Sequence, residues 1–307
     1  MKICVSIASY RDPDLINTVN SAYNNAKNKK DISFCVVSQA ADDEHPDLSH
    51  IPNVIYLKYH WSESNGLCWA RNIGTNNSNG EFTVQVDSHS RFNQNWDEIL
   101  SDFYHKAVSY WGDRIIISKN SDPFEIKEDG TEEFSEYPIV VKTKPLWNTE
   151  YNRFTFGNSW HNVENYTYGD EVFYISGGGT FARTDILKSV APDPVIYFED
   201  QMSVAIRAYT RGIRLIFCPE NFVFSLHDRS GDFDRLASFT GPPPKINRRL
   251  HWEDNPKWGD SSVKMWASNR RLDQLYSGKL GGFWGIGSRE LYEQFAKINE
   301  INFIERD

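Results

Sequence analysis

Asp87-Ser88-His89 closes the run Phe82-Thr83-Val84-Gln85-Val86, so an acid and an imidazole follow the end of a predicted strand. In an extended chain, residues i and i+2 leave on the same side. A carboxylate oxygen and an imidazole nitrogen placed that way can share a divalent ion, and a cation there would neutralise a leaving diphosphate. The tripeptide is common, and a capped turn ahead of Trp96 accounts for it equally well. Arg71 lies in Gly66-Leu67-Cys68-Trp69-Ala70-Arg71-Asn72, on a predicted helix opening shortly before the Asp87 strand. A guanidinium there suits a phosphate or a nucleobase, and equally a solvated surface. Phe198-Glu199-Asp200-Gln201 heads a later helix with two carboxylates near its N-terminus, where the helix dipole favours negative charge with or without a chemical task.

The elements that must position these groups follow from hydrophobic period. Ile3, Val5 and Ile7 alternate as in a strand, and Leu15, Val19, Tyr23 and Ala26 then recur near helical spacing. Strands are predicted at Ile32 to Val37, Val54 to Leu57, Phe82 to Val86 and Arg114 to Ser118, with an amphipathic helix from Trp96 to Tyr110. Such alternation implies an α/β fold with a mostly parallel sheet covered on both faces, and ligands then bind at the C-terminal strand edge. From Lys119 to about Gly169 the pattern breaks into acidic and aromatic stretches, too long for an idle loop and expected to lie over the active edge. Order returns with Val172 to Ile175, the glycines Gly177 to Gly179, a helix from Glu199 to Thr210, and strands Ile213 to Phe217 and Phe222 to Phe224. The tail is Pro-rich at 242–244, then helical from Val263 to Tyr276.

The chain has 307 residues, 39% apolar and 24% charged, which fits one main soluble domain with an appendage. No stretch approaches the roughly 20 apolar residues of a membrane span. Arg11-Asp12 ends the first apolar run too early for a signal-peptide core, so the expectation is a cytoplasmic protein complete at its start. Cys4, Cys35, Cys68 and Cys218 show no paired metal spacing and read as buried free thiols. A net charge of −9 argues against a non-specific grip on nucleic acid.

The chain resembles the GlcNAc-type glycosyltransferase family, which includes cytoplasmic transferases that attach N-acetylglucosamine to hydroxyproline on a protein. It is more distantly similar to the mucin-type polypeptide GalNAc transferases. The resemblance rests on Val5-Ser6-Ile7-Ala8-Ser9-Tyr10-Arg11-Asp12, Ala70-Arg71, Gln85-Val86-Asp87-Ser88-His89-Ser90-Arg91-Phe92 with Trp96-Asp97, Gly177-Gly178-Gly179-Thr180-Phe181-Ala182 and Asp193-Pro194. It continues through the helix from Phe198 to Gly212, Phe224-Ser225-Leu226-His227 with Arg229, and Ser268-Asn269-Arg270-Arg271-Leu272. It implies a GT-A fold over residues 1–229, with an insertion at about 119–169 and a C-terminal appendage, 230–307, closing over the donor site. It also implies a UDP-sugar donor, GlcNAc or a related sugar, with manganese or magnesium as the cation and retention of anomeric configuration.

Carried over by position, Asp87, His89 and His227 become cation ligands, and Ser9, Tyr10 and Arg11 line the nucleotide. Arg71 meets uracil or diphosphate, and Gly178, Gly179 and Thr180 pass beneath the donor sugar, where a missing Cβ allows close approach. Glu199 and Asp200 orient the donor sugar or the acceptor hydroxyl, which could belong to a protein, a glycan or a hydroxylated nucleobase. Phe198-Glu199-Asp200 and Thr210-Arg211-Gly212 depart from the family's usual Gly-Glu-Glu and Thr-His-Gly, which leaves sugar and acceptor identity open. The rival readings are a metal-dependent phosphoesterase, which would need a second set of metal ligands, and a non-catalytic carbohydrate-binding module using the ten tryptophans.

Overall fold

A computed structural model describes residues 1–135, 139–148, 153–162, 171–196, 200–226 and 261–301, with backbone alone for 139–148, 153–162, 200 and 261–266. Its order opens with β1 (Ile3–Tyr10), α1 (Leu15–Asn25), β2 (Ile32–Ala40), β3 (Val54–His60), α2 (Leu67–Asn77) and β4 (Phe82–Asp87). It continues through β5 (Ser90–Phe92), α3 (Trp96–Trp111), β6 (Ile115–Ser118), β7 (Asp122–Ile126), β8 (Glu132–Phe134), β9 (Ile139–Asn148) and β10 (Arg153–Asn162). The remainder is β11 (Thr180–Arg183), α4 (Thr184–Ser189), α5 (Asp200–Thr210), β12 (Arg214–Phe217), β13 (Val223–Leu226), α6 (Ser261–Tyr276) and α7 (Arg289–Ile298).

The main sheet has seven strands in the order β12-β6-β11-β4-β1-β2-β3. β1 runs parallel to β2 and β4, and β2 to β3, as the alternating pattern implied. Ile3, Val5 and Ile7 of β1, Phe34 and Val36 of β2 and Val84 and Val86 of β4 share one core with Leu15, Val19 and Ala22 of α1. Trp96, Leu100, Phe103 and Ala107 of α3 complete it. Each fully buried Val, Leu, Ile or Phe side chain contributes roughly 1.5–3 kcal/mol. Trp96 is further anchored where its indole Nε1 donates to the Ala22 carbonyl at 2.8 Å, so α1 and α3 are tied by a satisfied polar group as well as by packing.

The chain moves outward from β1 to β2 and β3, then returns to lay β4 on the other side of β1. That reversal opens a crevice between the C-terminal ends of β1 and β4, the position at which open α/β sheets bind ligands. Ala8 and Asp87 are the last register partners of the two strands, so the crevice opens just beyond them.

One expectation is corrected, and two features of the fold were not foreseen. The stretch Val172 to Ile175 is not a strand; Glu171 forms only an isolated bridge to Ile216, and the Val172 N–H donates to the Leu215 carbonyl along the sheet edge. Residues after Lys119 are not a bare excursion, since β7 and β8 join β5 and β13 in a four-stranded sheet, and β9 and β10 pair antiparallel. Their mixed charges and the proline at 123 hide the strand period. The main sheet also contains β11, antiparallel to both β4 and β6, which hydrophobic period did not reveal in so short a segment.

Within the tail, α6 and α7 share a core with α5. Leu272, Leu275, Tyr276, Tyr292 and Phe295 pack with Met202, Ile206 and Tyr209, and with Cys68 at the start of α2. Arg271 Nε donates to Asp193 Oδ2 at 2.7 Å, and Asp193 is buried. No helix among the described residues is long and apolar enough to cross a membrane. All four cysteines are free and buried, and burial pushes the Cys35 and Cys218 thiols up to about 12.

Candidate active site

Asp87 is the last residue of β4, and its carboxylate stands about one-third exposed at the crevice. Arg71 reaches it from α2. The guanidinium Nη2 donates to Asp87 Oδ1 at 2.8 Å and to the Gly177 carbonyl at 2.9 Å. At 3% exposure Arg71 is no solvated surface cation, because α2 lays it between β4 and the glycine turn. The ion pair keeps Asp87 Oδ1 occupied and directs Oδ2 toward Gly178.

The glycines explain themselves by clearance. A Cβ on Gly177 would lie 2.8 Å from Arg71 Nη2 and 3.0 Å from Gln201 Nε2, so the first turn of α5 rests against this turn. A Cβ on Gly178 would lie 2.8 Å from Ser121 Oγ and 3.3 Å from Asp87 Oδ2, and one on Gly179 would come within 2.5 Å of the Lys119 carbonyl. Gly179→Ala therefore presses on backbone and is expected to cost about 1–3 kcal/mol, as overpacking does. Gly178→Ala meets a hydroxyl that can rotate aside and should melt closer to wild type. Thermal unfolding of the two variants checks this, and equal melting temperatures would contradict it. Thr180 is buried, its hydroxyl donating to the Ser176 carbonyl at 2.6 Å; it fixes the turn.

Across the crevice, Ser9 is buried and its carbonyl accepts from Gln39 Nε2 at 3.1 Å, while Tyr10 is partly exposed. Arg11 adopts a left-handed backbone, φ 46°, which a non-glycine residue holds only when its surroundings demand it. Its N–H donates to the Gln39 carbonyl, and its guanidinium pairs through Nε and Nη2 with both oxygens of Glu44 while lying over the Trp61 ring. That hydrogen bond raises the Arg11 pKa above its ordinary value. Glu44 and Gln39 escaped the sequence reading, since partners 33 and 28 positions away carry no local signal.

His89 corrects the extended-chain argument. Ser88 and His89 form a turn between β4 and β5, so the two side chains do not simply leave one strand together. The turn forms because Thr18 on α1 clamps it, its hydroxyl donating to the Ser88 carbonyl at 2.8 Å and accepting the Ser90 N–H at 2.8 Å. His89 Nδ1 lies 3.0 Å from Asp12 Oδ2, a carboxylate quoted in the sequence motif without a role. Among the described residues no three His, Cys, Asp or Glu side chains gather around one point. His227 and Glu199 lie outside the described residues, as does the Asp200 side chain.

The donor set suits a hard divalent cation: a carboxylate oxygen at Asp87 and a carboxylate-backed imidazole at His89.

A model of the family described as Glycosyltransferase (GlcNAc) matches residues 49–235. Among curated proteins none matches by sequence. Among solved structures, that of GalNAc-T7 with UDP, GalNAc and Mn2+ matches with a TM-score of 0.58 at 14% identity, over 98% of this chain and 55% of that one. The chain thus spans about half the length of that relative. S. aureus TarS 1-349 in complex with UDP matches at 0.49 and 14% identity, over 97% of this chain and 89% of that one. The mannosyltransferase PcManGT from Pyrobaculum calidifontis, in complex with GDP-Man and Mn2+, matches at 0.48 and 14% identity, over 97% and 79%. At this identity the likeness to GalNAc-T7 speaks for the shared GT-A fold alone.

Proposed function

The chain belongs to the Glycosyltransferase (GlcNAc) family, and on that premise we propose that it transfers a sugar, GlcNAc or a related one, from a UDP-sugar to an acceptor hydroxyl with the help of a divalent cation. One observation carries the reading: Asp87, Arg71, the turn at Gly177–179 and the Asp12–His89 pair converge where the strand order reverses. A diphosphate needs positive charge and a carboxylate that can hold a cation, and Arg71 and Asp87 at this edge support that reading.

Asp87 and His89 would hold the cation, with His227 as the third protein ligand; when bound, it would neutralise the charge that builds on the departing diphosphate. Arg71 keeps the Asp87 carboxylate aimed and adds fixed positive charge beside it. Gly178, Gly179 and Thr180 would pass beneath the donor sugar, with Thr180 bracing the turn, while Ser9, Tyr10 and Arg11 would line the nucleotide. The Gln201 contact to Gly177 brings the start of α5 to the same cluster, which supports Glu199 and Asp200 as the groups that orient donor sugar and acceptor. The C-terminal appendage, 230–307, would close over the donor. The acceptor is a hydroxyl on a protein, a glycan or a nucleobase, and transfer proceeds with retention. A cytoplasmic site of action fits the four free thiols.

A screen of nucleotide sugars for donor hydrolysis, with and without chelator, tests the reading. UDP release from a UDP-sugar should stop in excess EDTA and return with manganese. Full turnover in EDTA would overturn the metal dependence, release of inorganic phosphate would point to the phosphoesterase, and no turnover with any donor would favour a binding module.

A further inference from the structure

One buried carboxylate at the site, the Asp12 partner of His89, carries no role of its own so far. Asp12 follows β1, and its side chain is only 4% exposed. Its Oδ1 accepts the Asp14 N–H at 3.0 Å; its Oδ2 accepts the Ser88 hydroxyl at 2.6 Å and faces His89 Nδ1 at 3.0 Å. We propose that Asp12 is a positioning residue that holds the His89 ring with its proton on Nδ1, so that Nε2 carries the lone pair offered to the cation; the proposal rests on the metal reading of the site.

The argument is one of hydrogen-bond direction. A carboxylate only accepts, and here a backbone N–H, a hydroxyl and an imidazole converge on one. The bond between Asp12 and His89 therefore requires the proton on Nδ1, and in the neutral ring the lone pair then sits on Nε2. The geometry is also rigid on both sides. Asp12 is fixed by the Asp14 N–H at the entry to α1, and the turn carrying His89 is held by Thr18 from the same helix. Asn25, at the far end of α1, donates to the Phe92 carbonyl at 2.7 Å and pins the strand that follows. The ring is thus oriented by the β1–α1 unit rather than by the turn that bears it. A histidine that ligates a metal through one nitrogen and gives its other N–H to a carboxylate is a stronger and better-aimed ligand.

Two readouts test this independently of turnover. With 15N-labelled histidine, long-range proton–nitrogen spectra of the metal-free wild type should show Nδ1 protonated and Nε2 unprotonated at His89, and Asp12→Ala should lose that fixed pattern. Manganese affinity in the presence of UDP, followed by calorimetry or by the free-ion resonance signal, should weaken by about 10- to 100-fold in Asp12→Ala. It should also weaken in Asp12→Asn, whose amide can turn its NH2 toward the ring and impose the other tautomer. The isosteric Asp12→Asn carries the comparison if the alanine variant does not fold, and the wild-type nitrogen pattern needs no variant at all. An unprotonated Nδ1 in wild type overturns the proposal, as do Asp12 variants that bind manganese like wild type while His89→Ala does not. Failure of the metal reading is told apart, because wild type, His89→Ala and the Asp12 variants would then all fail alike to bind manganese.

Discussion

Asp87→Asn is expected to lower kcat/KM for sugar transfer by about a thousandfold while leaving the fold in place. The asparagine keeps an amide oxygen for Arg71, so the contact at 2.8 Å survives in form. It removes the one charge at the end of β4 that would face the cation, and with it most of the field that steadies a departing diphosphate. Loss of about 4 kcal/mol of transition-state stabilisation corresponds to that thousandfold change. Calorimetry should show UDP binding that no longer responds to manganese, beside a cooperative melting curve shifted downward, because the buried Arg71 keeps a hydrogen bond but loses its counter-charge. A variant that turns over within tenfold of wild type and retains manganese-dependent UDP binding would remove Asp87 from the site.

Arg71→Ala should cost stability as well as activity. As a nucleotide contact alone, Arg71 would affect only donor KM, the mark of uniform binding. The structure adds a second role, because its guanidinium joins Asp87 to the Gly177 carbonyl from an almost fully buried position. Breaking a wholly buried ion pair costs about 3–5 kcal/mol. With Asp87 about one-third exposed, water screens part of that cost and ~2–3 kcal/mol is the fitting expectation. The released carboxylate and glycine turn also lose their alignment, so kcat should fall together with a rise in KM. Thermal unfolding and steady-state kinetics on one preparation decide the matter. An unchanged melting temperature with a rise in KM alone would confine Arg71 to reading the nucleotide.

Much of the scaffold was legible in the residues themselves. Alternation in Ile3-Cys4-Val5-Ser6-Ile7 and in Phe82 to Val86, and the helical spacing of Leu15, Val19 and Tyr23, are local consequences of one face being buried, so β1, β4, α1 and α3 follow from sequence. Asp87 at a strand end and the run of three glycines are visible locally, whereas what a Cβ at those glycines would strike is not.

What sequence could not provide was any statement about which ends meet. The reversal that sets β4 beside β1 pairs Asp87 with Ala8 and brings Asp12 to His89, 77 positions away, and the placement of β11 on the other side of β4 brings Gly177 to Arg71, 106 positions away. β11, a four-residue strand, is specified by its neighbours β4 and β6 rather than by its own period. The turn at Ser88-His89 is likewise set by Thr18 on a different element. Local period by itself determined the elements and the acid at the end of β4. Tertiary structure decided which nitrogen of His89 faces away from Asp12 and whether Arg71 is buried, because hydrogen-bond direction and burial depend on neighbours that the chain reaches only after it has folded.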